Sequence, residues 1–413
     1  MSETNWAGNI TYGASALHTP TSLDELQEIV RRSRKLRALG SRHSFNRIAD
    51  TDGDLVSMRG LAGVLDIDAS NRTVTVEGGI TYGQLCPVLD AAGFALHNLA
   101  SLPHIGVVGA CATATHGSGN ANKNLASAVV ALEFVTATGD TVTLRRGDAG
   151  FAGAVVHLGA LGVVSKVTLD IQPSFQVRED IYTDLPFQTL LDNFEAISGT
   201  AYSVSCFTHW KGDTIGFVWL KNLADRIPPA DGFFGAKPQT RPWHPIAEID
   251  PAPVTQQMGV PGPWYLRLPH FRMEFTPSAG AELQSEYFVA RRDAVAALKA
   301  LHAVQDQIAG PLMVSELRTI AADELWLSPN YQQDCLALHF TWFQDWPAVS
   351  SALRTIEAAL APFNPRPHWG KLFTMERATL QSRYPKLADF RALAAKHDPN
   401  GKFRNGFIDD YVF

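Results

Sequence analysis

The run Arg37-Ala-Leu-Gly-Ser-Arg-His-Ser-Phe-Asn46 joins a short apolar segment to a glycine turn, two hydroxyls and a histidine. A turn of this composition can aim several backbone N–H groups at a phosphate and so form an anion cradle. His43 stands beside the cradle, where a neutral imidazole nitrogen can serve as metal ligand, base or nucleophile. A surface turn carrying a solvated histidine has the same residues. The stretch therefore acquires its meaning from the rest of the chain.

Working outward, 413 residues exceed one ordinary core, so two domains are expected. Hydrophobic residues make up 46% and charged residues 18%, as in a soluble globular protein. There is no apolar run long enough for a membrane span. Met1-Ser-Glu-Thr-Asn-Trp-Ala-Gly-Asn9 has neither a basic region nor an apolar core, so no secretory signal is expected. A formal charge of −6 and a pI near 6.1 argue against a nucleic-acid partner. The basic run Arg31-Arg-Ser-Arg-Lys-Leu-Arg37 reads as a solvated face at a helix end, where it complements the dipole. Cys86, Cys111, Cys206 and Cys335 lack CxxC or zinc spacing, which suggests buried free thiols in a reducing, cytoplasmic setting. No HxH or HExxH pair occurs, so no metal is expected and a metal-dependent hydrolase fails on spacing.

Along the chain, Ser22-Leu-Asp-Glu25 is a capping box that predicts a helix of about 14 residues with Leu23, Leu26, Ile29 and Val30 on one face. Val64–Asp68 and Thr73–Glu77 alternate as strands, and Thr81-Tyr-Gly-Gln84 is a second capping box. The segment from Asn98 to Gly119 is rich in small residues and nearly free of charge, which suits either close approach to a large flat ligand or tight helix packing. Thr138-Gly-Asp140 signals a hairpin, and a strand ends at Pro173, where we place a domain boundary. The region 222–270 is too proline-rich for regular structure throughout. Strands are then expected at Phe271–Phe275 and Glu286–Val289, and an amphipathic helix at Arg291–Ile308. In the strands Leu312–Ile320 and Leu336–Trp342, period two puts Glu316 with Arg318, and Ala337 with His339 and Thr341, on one face each. Such faces line a pocket or meet solvent. A second helix, Trp346–Ala361, completes an α+β plan of a sheet covered by helices.

Seven ordered motifs are specific enough together to carry a resemblance. They are Gly40-Ser-Arg-His-Ser-Phe-Asn46, Leu99-Ala-Ser-Leu-Pro-His104, Thr115-His-Gly-Ser-Gly119, Leu158-Gly-Ala-Leu-Gly-Val163, Glu316-Leu-Arg318, His339-Phe-Thr341 and Arg366-Pro-His-Trp-Gly-Lys371. With these, nearly end to end, the chain resembles the vanillyl-alcohol oxidase-type flavoproteins, and among them the alditol-oxidising members. The resemblance implies a two-domain α+β fold. Residues 1–173 and 372–413 would bind FAD, and 174–371 would form a substrate domain with a mainly antiparallel sheet. It also implies that His43 carries FAD covalently. Gly40, Ser41, Arg42, Ser44, Phe45, Asn46, Ser101, Gly106, Gly109, Thr113, Thr115, His116, Gly117, Ser118, Gly162, Val164 and His368 would complete the cofactor site. Members of the family show Gly-Ser-Gly-His where this chain has Gly40-Ser-Arg42-His43.

On the substrate side the resemblance implies Ser101, Glu316, Arg318, Thr341 and Lys371 as binding groups, with Arg318, Lys371 and His339 as the catalytic set. An alditol offers only hydroxyls, so its recognition needs several convergent donors and acceptors. The implied reaction takes a C1 hydroxyl of xylitol or sorbitol to the aldose, with hydride passing to flavin N5 and oxygen becoming hydrogen peroxide. Arg318 and Lys371 are typed to lower the alcohol's pKa, and Lys371 or His339 would accept its proton. Ala100, small, would lie over the flavin. The partners expected are a polyol and oxygen, with the chain a monomer. The alternatives are an aldonolactone oxidase or dehydrogenase of the same fold, and a flavin-carrying binding protein without turnover.

Overall fold

The computed structural model describes residues 3–226, 232–275 and 282–413. The first helix, Leu23–Arg32, is shorter than expected, since Ser33 already has extended backbone. Ser22 caps it by accepting from the Glu25 N–H, while the Glu25 carboxylate reaches the Thr21 N–H in place of the cap's own. The chain then enters the strand Leu36–Leu39, which pairs in parallel with Asp54–Ser57.

That early turn into strand corrects the reading of the basic run. Arg31 and Arg32 lie in the last turn of the helix, but Arg37 is on the strand and only 2% exposed. Its guanidinium donates to the carbonyls of Gly159 at 3.0 Å, Phe403 at 2.7 Å and Leu158 at 2.9 Å, and also to Ile48. One planar cation thus ties three distant backbone segments together through four carbonyls, a task that suits a fork of fixed donors.

The second sheet has five antiparallel strands in the order Val64–Asp68, Thr73–Glu77, Val163–Asp170, Val129–Val135, Thr141–Arg145. The hairpin expected at Thr138-Gly-Asp140 joins its last two strands, with Gly139 at φ +84°. Helix Tyr82–Ala91 begins with the full capping box of Thr81 and Gln84. The C-terminal tail packs on this half of the molecule. Phe403 is buried with Leu26, Ile29 and Val30, and Leu380, Phe390 and Ile408 join the core that holds Val74 and Leu169.

The largest sheet among the described residues has nine strands, and its long members pair antiparallel. Its central order is Gln176–Pro186, Thr214–Leu223, Ser203–Thr208, Leu312–Ile320, Cys335–Phe343, Glu282–Ala290. One face buries Val204, Leu317, Leu338 and Leu283 against Leu298 and Leu301 of helix Ala294–His302 and against Ile356 of helix Trp346–Leu360. The α+β plan, with helices covering a mainly antiparallel sheet, is therefore as expected. The expected helix Arg291–Ile308 is interrupted: a 3-10 turn at Arg291–Asp293 and α-helices at Ala294–His302 and Gln305–Ile308 replace it. The expected strand Phe271–Phe275 is absent. Phe271 makes only an isolated bridge to Val254, because the N–H groups of His270 and Phe271 both go to the carbonyl of Ser101.

The four cysteines are buried and unpaired. Among the described residues no helix is long and apolar enough to cross a membrane, and no cluster of three His, Cys, Asp or Glu could hold a metal ion.

Replacing Arg37 by Met leaves four buried carbonyls without donors. At about 1 kcal/mol for each hydrogen bond lost, urea denaturation of Arg37→Met is expected to show a loss of about 3–5 kcal/mol.

Candidate active site

A cavity of about 790 Å³ runs from the loop after strand Leu36–Leu39 to the face of the nine-stranded sheet away from the helices. At the loop end, Arg42 adopts φ +65°, a left-handed conformation that glycine takes without strain. The N-terminal segment supports it. The Arg42 carbonyl accepts the Trp6 N–H at 2.8 Å, its guanidinium pairs with Glu3, and Asn5 donates to the Ser44 carbonyl at 3.0 Å. The Trp6 ring stacks on His43, with centroids 4.9 Å apart and planes 21° from parallel. His43 has Nδ1 at 3.1 Å from the Ser41 carbonyl, while Nε2 is buried without a partner. Burial pushes its pKa down to about 4, so the imidazole is neutral at ordinary pH.

Gly106 opens the short helix Val107–Ala112, and its N–H donates to Ser41 Oγ at 3.2 Å, joining the two halves of the loop end. Gly40, Ser44, Phe45, Gly109, Thr113, Thr115, His116, Gly162, Val164 and His368 also line the cavity, as do Ala100 and Ser101. A Cβ on Gly40 or Gly109 would meet nothing within 4 Å, so both glycines open onto free space. A long cofactor with a phosphate bridge fits this arrangement: backbone can approach it closely at these glycines, and a partnerless imidazole nitrogen waits at the loop.

Three expected cofactor residues lie outside the lining. Asn46 donates to the carbonyls of Trp369 at 2.8 Å and Lys371 at 2.7 Å, and so fastens the His43 loop to the Lys371 loop. Gly117 is required by crowding, since a Cβ there would stand 2.4 Å from the Leu99 carbonyl oxygen. Ser118 spends its hydroxyl on the Val204 carbonyl.

At the sheet end the strand periodicity holds. Glu316, Arg318, His339 and Thr341 all point into the cavity, and all are buried, so neither strand presents a solvent face. Lys371 reaches them from the following loop, donating to His339 Nδ1 at 2.8 Å. His339 Nε2 lies 3.2 Å from Thr341 Oγ1. Burial first, and then the Lys371 ammonium, hold the His339 pKa well below its ordinary value. For Glu316, burial favours the acid, but Arg318 and His270 prevail and keep it ionised.

Sequence reasoning missed three residues here. Glu286, within the expected strand, is fully buried and stands 2.7 Å from Lys371 Nζ, 2.8 Å from Arg318 and 3.2 Å from His116 Nε2. Its signal was the alternation Glu282, Gln284, Glu286, three polar residues on one face of the strand Glu282–Ala290. His270 places Nε2 at 2.8 Å from Glu316 Oε1. Lys221 donates to the carbonyls of Arg267, Leu268 and Pro269 at 2.7–2.8 Å, fixing the loop that carries His270. No local pattern announces those last two contacts.

Two family models match the chain. A model described as FAD binding domain matches residues 14–145, and one described as D-arabinono-1,4-lactone oxidase matches residues 281–411. Alditol oxidase of a Streptomyces species is 50% identical over 412 residues, spanning 99% of this chain and 98% of its own. L-gulono-1,4-lactone dehydrogenase of Mycobacterium tuberculosis is 30% identical over 420 residues, spanning 98% and 97%. Among solved structures, a solvent-stable cholesterol oxidase superposes with a TM-score of 0.82 at 18% identity, covering 100% of this chain and 97% of that one, which shows the shared fold. The chain belongs to the vanillyl-alcohol oxidase-type family of FAD-dependent oxidoreductases.

Because Asn46 bridges two loops at the cavity edge, Asn46→Ala is expected to lower stability by about 1–3 kcal/mol in denaturant titration, through two lost hydrogen bonds and the cap on Ile48.

Proposed function

We propose that this protein is an FAD-dependent alditol oxidase that converts the C1 hydroxyl of xylitol or sorbitol to the aldose and reduces oxygen to hydrogen peroxide. The observation that carries this reading is the buried polar wall of Glu316, Arg318, His339, Thr341 and Lys371 at one end of the cavity. Its charges are paired, Arg318 with Glu316 and both Arg318 and Lys371 with Glu286 behind them, so the wall offers donors and acceptors to a neutral ligand and no free charge to an anion or cation. A polyol matches that chemistry. The 50% identity to an alditol oxidase over the whole chain supports the same substrate class.

Bound FAD supplies the acceptor for the C1 hydride and passes the electrons to oxygen. The protein's part is to hold and polarise the alcohol. Glu316, Thr341 and Ser101 bind hydroxyls and fix which carbon faces the flavin. Arg318 and Lys371 donate toward the C1 oxygen and stabilise it as its proton passes to water in the cavity. His43, with neutral imidazole and a free nitrogen, is assigned as the covalent attachment point, and His368 and His116 as flavin contacts. In the same reading residues 1–173 and 372–413 form the FAD domain around a substrate domain of 174–371. The separate five- and nine-stranded sheets and the packing of the tail on the first support that division. Four unpaired buried thiols suit the cytoplasm.

Anaerobic mixing with xylitol is expected to bleach the visible flavin band, and L-gulono-1,4-lactone is expected to do so far more slowly. Bleaching by the lactone alone would move the assignment to a lactone oxidase. After acid precipitation the yellow colour should stay with the wild-type polypeptide and be released from His43→Ala. Release from both proteins would exclude the covalent link.

A further inference from the structure

Glu286 touches no ligand in the reading above, yet the cations of the site converge on it. Its side chain is fully buried in the strand Glu282–Ala290, whose residue pairing sets it opposite His339. Oε1 stands 2.8 Å from Arg318 and 3.2 Å from His116 Nε2, and Oε2 stands 2.7 Å from Lys371 Nζ and 3.8 Å from His339 Nδ1. The loop that carries Lys371 hangs on the same strand, since the His368 N–H donates to the Glu286 carbonyl at 3.0 Å and the Leu372 N–H to the Gln284 carbonyl at 2.9 Å. Carboxylate and lysine are thus held in register by backbone as well as by charge.

The charges facing Lys371 come from every element packed against it. Glu286 comes from one strand, Glu316 and Arg318 from Leu312–Ile320, His339 from the strand between, and His116 and His368 from loops. Burial keeps the three histidines neutral. Two carboxylates then remain against Arg318 and Lys371, and this buried group is balanced only when the lysine is protonated. Burial pulls its pKa down from the ordinary lysine value, and Glu286 opposes that pull.

We propose that Glu286 is a positioning residue that keeps Lys371 an ammonium ion and aims its free N–H into the cavity, making Lys371 a donor to the substrate oxygen and not its base. Two of the three ammonium hydrogens are committed, one to Glu286 and one to His339 Nδ1, and the third, without a partner among the described residues, is left to the cavity that Lys371 lines. His339, accepting at Nδ1, carries its own proton on Nε2 beside Thr341 Oγ1. One carboxylate therefore orders the donors of a lysine, an imidazole and a hydroxyl.

The identity of the substrate rests on the alditol oxidase reading, but the charge state of Lys371 does not, and the test separates the two. Glu286→Gln keeps the shape and removes the charge. Two cations then face one carboxylate. Arginine does not release its proton, so lysine does. If the reaction needs the ammonium ion, kcat/KM falls as pH rises through the Lys371 pKa, and losing Glu286 moves that alkaline limb to lower pH.

For the FAD-loaded Glu286→Gln enzyme, the limb is expected to move acid by about one unit or more. At pH 8, kcat with xylitol should fall by up to about 10-fold for each unit of that shift, and KM should change by less than about 3-fold. Glu286→Asp should restore the limb. A pH titration of the visible flavin band in the substrate-free protein should show the same acid shift, and this readout stands even if no alditol reduces the wild type. An unmoved limb and band in a Glu286→Gln protein that melts like wild type overturn the inference, as does a limb moved to higher pH. Should Glu286→Gln not fold, Lys371→Arg decides. An arginine that retains more than about a thousandth of the turnover, without the alkaline limb, supports the donor role, and a larger loss overturns it.

Discussion

A β-strand sends alternate side chains to opposite faces, and the site depends on three adjacent strands doing so in register. In Leu312–Ile320, Cys335–Phe343 and Glu282–Ala290, one set of residues, Leu317, Leu338 and Tyr287 among them, enters the helix-covered core. The other set delivers Glu316, Arg318, His339, Thr341 and Glu286 to the cavity. The residue pairing aligns Glu316 with His339, and His339 with Glu286, across the sheet. A slip of one residue in any strand would bury these charges against the helices and expose leucines to the cavity. The bulge between Leu312 and Val314 keeps the phase, because it lets both Met313 and Val314 face the cavity before strict alternation begins.

The other end of the cavity is held by a different device. The loop from Gly40 to Asn46 has little regular structure, and segments far away in sequence clamp it. Glu3, Asn5 and Trp6 hold one side, Asn46 links it to residues 369–371, and Arg37 anchors the strand before it. The Arg42 position shows the balance of forces. A side chain at φ +65° carries a backbone cost of about 1–2 kcal/mol that glycine would avoid. The ion pair of Arg42 with Glu3 and the stack of Trp6 on His43 both depend on an N-terminal segment laid across the loop, and they act against that cost.

Which parts of this were legible in the sequence follows from the range of the forces involved. Caps, hairpin turns and strand alternation are local, so Thr81 with Gln84, the turn at Gly139 and the shared face of Glu316 and Arg318 could all be read directly. Contacts across long stretches of chain could not. Arg37 looked like one more surface cation because its four carbonyl partners lie on segments as distant as Phe403. Phe271 looked like a strand residue, but its backbone and that of His270 are committed to Ser101. Gly117 and Ser118 sat inside a cofactor-like motif, yet the first answers to packing against Leu99 and the second to the Val204 carbonyl. Glu286 was hidden for a related reason, since nothing near it in sequence reveals that Lys371 and Arg318 will meet it.

The density of buried charge at the sheet end is itself informative. Taking an ion out of water costs several kcal/mol even after relaxation, and well-packed apolar residues of similar volume are often no less stabilising than a buried pair. Glu286, Glu316, Arg318 and Lys371 nonetheless occupy one wall, while the opposite face of the same strands is built from leucine, phenylalanine and tryptophan. The fold could have closed over an apolar wall at lower cost. Keeping four charges there makes physical sense where a substrate oxygen must develop negative charge out of contact with bulk water, since fixed donors in such a setting stabilise it without having to reorganise. The mutual pairing of the four leaves the wall without net charge, and the third hydrogen of Lys371 marks where a neutral hydroxyl can join the network.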